Sequence, residues 1–417
     1  MQQASGWQRV NGWGVVAIAA LLVTLPLLLE GVLLLLLPGL VLGLSFHARS
    51  LWLDRDDGKL VTALVVFGAV WLADVGWRGE GLMPWSMALW PLWAVAGLVW
   101  LRRFCPPFRY WYFGIVAGAS GAGVVAVIER LLGAERAGGH INAIPFGNLS
   151  LLLAAMSVVL ALMTLENGRY RSSRWHLVAA VLATVWALVA MVLSGTRGAW
   201  VAVPVMGLVI VLAYRRSLFR LINPWLVAGV LVVCCIVVLV APVGVMPRLL
   251  ELAQEVGAYH RTGEADTSYG ARVEMWRTAW LLFQSSPWLG WGEGDLIAGR
   301  DMLIAGASVS PAIHYYDQLH SDILDTLARR GIVGGLGLAM VYGVPAWLFI
   351  RYRRHACPEV KALMVSGILL VIAFLIFGMS QSMLRDSRGL IAYLGFLAIL
   401  WALLQRRVSL LQKETDR

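Results

Sequence analysis

Three short stretches of this sequence carry residue types suited to acid–base and anion chemistry. The first, "LHSDILDTLARRG" (319–331), contains His320. Read as a helix, it puts His320, Ile323, Leu324 and Leu327 on one face at i, i+3, i+4, i+7 spacing, with Ser321, Asp322 and Asp325 pointing elsewhere. A neutral imidazole takes a proton near pH 7, so His320 reads as a general base. A histidine heading an apolar stripe also reads as a packed core residue, and the residue types alone leave both open. The second, "LSGTRGAW" (193–200), sets Arg197 in a glycine turn. A charge at a bilayer boundary is costly unless paired or hydrated, so Arg197 is either a snorkelling interfacial arginine or part of an anion site at headgroup depth. The third, "YGARVEMWRTAW" (269–280), carries Arg272 near a helix start, where backbone N–H groups favour an anion. Arg277 lies five residues on, off the face of Arg272, and reads equally as a solvated surface residue.

The elements that must position these residues are apolar runs. Hydrophobic residues make up 59% of the 417 and charged residues only 14%, against about 25% charged in a soluble domain. The chain is expected to be an all-α polytopic membrane protein forming a single integral membrane domain over 1–417. At roughly 20 residues per span, twelve transmembrane helices are expected, near 13–29, 31–46, 60–77, 85–101, 110–128, 147–165, 176–193, 199–213, 225–246, 332–350, 362–383 and 389–405. The first run lacks a small-residue cleavage site and is read as a retained span. The net charge of +10 is spread over many short loops with no compact basic domain, which excludes a nucleic-acid partner. The four cysteines show neither a disulfide framework nor metal-type spacing.

Basic residues set the orientation. With both termini cytoplasmic, every short inside loop is basic, such as "YRRSLFR" and "RYRRHACPEVK", and Lys59, Lys361 and Lys413 all fall inside. Residues 247–331 then form one large, partly helical periplasmic loop between spans 9 and 10. A loop of this length in a compact protein is usually functional, and this one is expected to cover a site at the outer membrane surface. Within it, 248–256 and 271–283 are helical by period, the latter with Val273, Trp276, Trp280 and Phe283 on one face. "SSPWLGWGEG" (285–294) is a turn, and a helix from His320 leads into the span at 332. The outer-side histidines show no tight ligand spacing, and the first outer loop is a bare Glu30-Gly31 turn, so no metal site is expected. A transporter would show charged residues in mid-span and a repeat between halves. Glu30 and Asp74 lie near span ends, and no internal repeat is apparent.

An outward "SGTRGAW" turn, a long loop with "ARVEMWRTAW" and "SSPWLGWGEG", and "HSDILDTLARRGIVGG" leading into a span together resemble the O-antigen ligase/polymerase family of bacterial inner membranes. The resemblance covers most of the chain from about 110 onward, with its motifs in 194–334. It implies a GT-C-like glycosyltransferase in the bacterial inner membrane, with its site facing the periplasm. In the ligase branch, O-antigen passes from undecaprenyl diphosphate to a sugar hydroxyl of lipid A–core. The polymerase branch uses the same donor with a lipid-linked repeat as acceptor. The single large loop and the histidine motif favour the ligase. By motif, Arg197, Arg272 and His320 carry over as catalytic residues, with Arg197 and Arg272 also binding the donor. Arg277, and Arg385, Asp386 and Arg388 in the last outer turn "LRDSRG" (384–389), are further substrate-binding candidates. The reading requires no cofactor and no metal. It makes the partners undecaprenyl-diphosphate-linked O-antigen, lipid A–core and membrane lipids.

Overall fold

The computed structural model describes residues 6–24, 53–139, 142–166, 174–221 and 245–416. Among them every regular element is a helix. In chain order these are α1 (Gly6–Thr24), α2 (Arg55–Arg78), α3 (Leu82–Arg103), α4 (Phe108–Leu131), α5 (Ala143–Glu166), α6 (Arg174–Ser194) and α7 (Arg197–Leu221). There follow α8 (Val245–Thr262), α9 (Ser268–Ser285), α10 (Gly294–Ala305), a 3₁₀ turn (Pro311–Ile313), α11 (Asp322–Ile350), α12 (Pro358–Phe377) and α13 (Ser387–Thr415).

Nine of these helices, α2–α7 and α11–α13, are long and apolar enough to cross a membrane. They coincide with nine of the twelve expected spans. α1 covers the start of the expected first span. The expected spans at 31–46 and 225–246 lie outside the described residues, but for the last two positions of the latter. The described residues are thus all-helical, and the chain is a multi-pass membrane protein.

Apolarity all round a helix puts it at the centre of a bundle, and α5, α12 and α13 are buried on nearly every face. Helices nearer the edge bury one stripe. α6 buries Ala180, Ala183, Ala187 and Ala190, and exposes Val178, Val181, Leu182 and Val185. Small residues let α6 lie close against α4 and α5, as in membrane bundles generally, while the branched aliphatic face is suited to lipid tails.

The helix ends segregate. At one end Arg102 binds Asp57 at 2.8 Å, Arg351 binds Asp56 at 2.6 Å, Lys361 binds Glu166 at 2.8 Å and Arg407 binds Glu359 at 2.7 Å. All belong to segments expected on the cytoplasmic side. At the other end Arg136 bonds the Ser194 carbonyl at 2.8 Å, and Glu80 accepts from the N–H groups of Glu293 and Gly294 at 2.9 Å. α8–α10 gather there too, so the segment expected as a large loop is mostly helical.

Two local expectations are corrected. Helix α11 begins at Asp322, not at His320. Ser321 is its N-cap, its hydroxyl accepting from the Leu324 N–H at 3.4 Å, so His320 stands outside the helix and heads no stripe. On α9 the buried face is Ala271, Glu274, Met275, Thr278, Ala279 and Leu282. Trp280, expected on the apolar side, is 50% exposed. The burying stripe runs one position away from the large aromatic residues, because small side chains allow α9 to approach α11.

Candidate active site

Gly195 has φ +62°, a left-handed conformation that glycine adopts without steric cost, and it turns the chain from α6 into α7. Arg197 is the first residue of α7. The turn is held from two sides. Arg136 donates to the carbonyls of Ser194 and Gly195 at 2.8 and 3.3 Å, and the Thr196 hydroxyl donates to the Ala143 carbonyl at 2.8 Å. At Gly198 a Cβ would lie 2.3 Å from the Ser380 Oγ, so the missing side chain brings the α12–α13 turn against the start of α7.

Arg272 is in the first turns of α9. Thr267 caps that helix, its hydroxyl accepting from the Gly270 N–H at 3.0 Å. The carboxylate of Glu255, on α8, accepts from the Tyr269 N–H at 2.9 Å. These pieces enclose a cavity of about 610 Å³. Arg136, Gly195, Thr196, Gly198, Thr267, Ser268, Arg272 and Ser380 line it, and Glu251, Glu255 and Asp266 form an acidic part of its wall.

His320 follows 3₁₀ and turn structure and has φ +49°, a strained conformation for a residue with a Cβ. Its surroundings hold it there. The Trp276 indole donates to its carbonyl at 3.4 Å, and Tyr316 stands edge-on to its ring at 5.7 Å between centroids. The preceding Leu319 N–H bonds the Asp325 carboxylate at 3.4 Å. The Ser380 carbonyl and the Gln381 side chain adjoin the imidazole. Burial, then the nearby positive charge of Arg272, push its pKa below the ordinary histidine value, over the opposing effects of Gln381, Asp325 and Ser380. The imidazole is therefore neutral at pH 7.

Beneath the site lies a buried ion network. Glu293 binds Arg329 at 2.8 Å and also pairs with Arg330 and Arg385. Asp325 binds Arg329 at 3.1 Å and Arg385 at 3.7 Å. Asp74 binds Arg78 at 2.8 Å and Arg330 at 3.4 Å. Burial alone would raise the Glu293 pKa, but Arg329, Arg330 and Arg385 outweigh it and hold the carboxyl well below the usual range. Asp322 ties α11 to the last outer turn: its N–H donates to the Gly378 carbonyl at 2.7 Å, and its carboxylate accepts from Leu384 N–H at 2.9 Å.

Of the residues singled out in the sequence, the structure brings together the Arg197 turn, Arg272 and His320, from stretches far apart in the chain. Arg272 and the residues on either side of Arg197 line the cavity, His320 adjoins it only through Ser380, and the others lie apart from it. Arg277 is largely exposed, 3.9 Å from Glu274. Arg385 is engaged with Glu293 and Asp325. Asp386 caps α13, accepting from the N–H groups of Arg388 and Gly389 at 3.0 and 3.2 Å, and Arg388 lies in the first turn of that helix. Sequence reasoning missed Arg136, Ser380, Gln381 and the carboxylates of α8. None stands in a distinctive local pattern; only the packing of three segments makes them neighbours.

Two comparisons with known proteins bear on the chain. An uncharacterised protein of Haemophilus influenzae is 23% identical over 346 residues, which is 83% of this chain and 86% of that protein. Residues 182–339 match the model of a family described as O-antigen ligase. That stretch runs from within α6 into α11, so the Arg197 turn, Arg272 and His320 all fall inside the part of the chain that is similar to the O-antigen ligase family.

Proposed function

We propose that the protein is an O-antigen ligase, transferring O-antigen from undecaprenyl diphosphate to a sugar hydroxyl of lipid A–core at the periplasmic face of the bacterial inner membrane. One observation carries this reading. The glycine turn of Arg197, Arg272 and Ser380 line a single cavity at one end of the membrane helices, and His320 adjoins Ser380.

The chemistry follows from the residue types. A sugar hydroxyl is a poor nucleophile. His320, neutral at pH 7, removes its proton as the oxygen attacks the anomeric carbon, a contribution of about 10²–10⁴-fold. The bond from that carbon to the diphosphate breaks, and the electron pair leaves with the lipid diphosphate. Arg272 and Arg197 stabilise the charge that gathers there, aided by donors at the start of α7. Guanidinium groups suit this task because they stay charged and bind phosphate oxygens in pairs. The carboxylates of Glu251, Glu255 and Asp266 suit hydroxyl groups of the glycan. A single displacement inverts the anomeric centre. The diphosphate link supplies the free energy, so neither nucleotide sugar nor metal is required.

The test is transfer by the purified protein from undecaprenyl-diphosphate-linked O-antigen to lipid A–core in the presence of EDTA. Glycan shifted onto lipid A–core supports the ligase. Chain growth on the polyprenyl carrier without lipid A–core would make the protein a polymerase, and loss of activity with EDTA would overturn metal independence.

A further inference from the structure

His320 has a neighbour to which the reaction above gives no role. Gln381 sits in the α12–α13 turn and is 5% exposed. Its backbone is held on both sides: its N–H donates to the Phe377 carbonyl at 3.0 Å, and its carbonyl accepts from Met383 N–H at 2.8 Å. The turn is tied in addition to the start of α11 through both bonds of Asp322. The side-chain Nε2 donates to Gln318 Oε1 at 3.3 Å, which leaves Oε1 as the uncommitted end of the amide. Among the described residues that Oε1 is buried without a hydrogen-bond partner, and so is His320 Nδ1. The two side chains adjoin. One of these atoms can carry a proton and the other can only accept one.

We propose that Gln381 is the positioning residue for His320, its Oε1 accepting a hydrogen bond from the imidazole Nδ1–H while Gln318 holds the amide in that orientation. The proposal rests on His320 being the base. Fixing the proton on Nδ1 places the lone pair on Nε2, which takes the proton of the acceptor hydroxyl. The imidazolium so formed keeps its Nδ1–H bond to Gln381. Catalytic hydrogen bonds are commonly loose before substrate binds and tighten in the reacting complex. An amide fits this place better than a carboxylate. The groups facing the imidazole are Arg272 on α9, Asp325 on α11, Tyr316, and the Ser380 carbonyl and Gln381 in the turn. A carboxylate added to them would favour the charged ring, which cannot act as a base.

The experiment compares the full-length protein with Gln381→Met, Gln381→Glu and His320→Ala. It uses the same donor and lipid A–core and records kcat, donor KM, the pH–rate profile and the thermal midpoint. Gln381→Met is expected to lower kcat by about 10–100-fold at unchanged donor KM, a part of what a positioned base contributes. Gln381→Glu, of nearly the same shape, is expected to recover part of that rate and to move the acid limb of the profile to higher pH. Nitrogen-15 spectra of histidine-labelled protein, with His320→Ala to assign the signal, are expected to show the Nδ1–H tautomer. An Nε2–H tautomer, or an acid limb unmoved by Gln381→Glu, would overturn the positioning role even if Gln381→Met fails to fold. Inactive His320→Ala beside Gln381 variants of full rate would overturn that role alone. Active His320→Ala would overturn the base on which it rests.

Discussion

At the scale of single residues, His320 is shaped by what surrounds it. Burial and the charge of Arg272 both disfavour the imidazolium, so the proton-accepting form prevails at neutral pH. The sign is direct: a lowered pKa means that kcat/KM stays level through neutrality and falls only on acidification below the ordinary histidine value. Removing the charge in Arg272→Gln should move that acid limb to higher pH while lowering the rate, as a pH–rate profile will read. His320→Ala should cost about 10²–10⁴-fold in kcat at saturating donor, leaving residual transfer from charge stabilisation alone. The residue types of Arg197, Arg272 and His320 were legible in the sequence, since each stands in a short motif on the side of the chain poorer in basic residues. The left-handed backbone of His320 was not, because it depends on Asp325, Trp276 and Ser321 holding the chain from three directions.

At the scale of elements, the segment that leads into the span at 332 is two helices in one. α11 breaks at Gly331, with φ +57° and ψ −155°. The break frees backbone groups that must find partners in a membrane-facing protein, and the 287–292 turn supplies them. Ile332 and Val333 N–H groups donate to the Pro287 and Trp288 carbonyls at 2.8 and 3.3 Å, and the Ala328 and Arg329 carbonyls accept from Trp291 and Gly292 at 2.9 and 2.8 Å. A Cβ at Gly331 would lie 2.3 Å from the Trp288 carbonyl carbon. Gly331→Ala should therefore destabilise the protein by about 1–3 kcal/mol, seen as a lower thermal midpoint in detergent. The same turn delivers Glu293 into the arginine cluster. Glu293→Ala leaves buried guanidinium groups uncompensated, and breaking a buried pair in this way costs about 3–5 kcal/mol. Glu293→Gln, which keeps the acceptor oxygen, should lower the midpoint less. The sequence marked 285–294 as a turn from its Pro and Gly residues. What the turn clamps was invisible, because its partners lie some forty residues away.

At the scale of the whole molecule, the alternating helix ends have a testable orientation. A cysteine at the exposed Tyr315, in a background with the native cysteines replaced, should react with a membrane-impermeant thiol reagent in spheroplasts. A cysteine at Arg353 should react only after the membrane is opened. The reverse pattern would invert the topology and place the cavity in the cytoplasm. The sequence by itself determined the helical, membrane-crossing character of the chain and nine of its spans, because apolar length and basic loops are local properties that the bilayer reads directly. It also determined which three motifs to watch. Only the tertiary structure decided that two of these motifs line a cavity with Arg136, Ser380 and the acids of α8, and that His320 adjoins Ser380 at its edge. It also committed Arg385 and Asp386 to an ion network and a helix cap. Those outcomes depend on close approach between distant segments, permitted by a missing side chain at Gly198 and by buried charges that must pair, and neither requirement is written in any single stretch of chain.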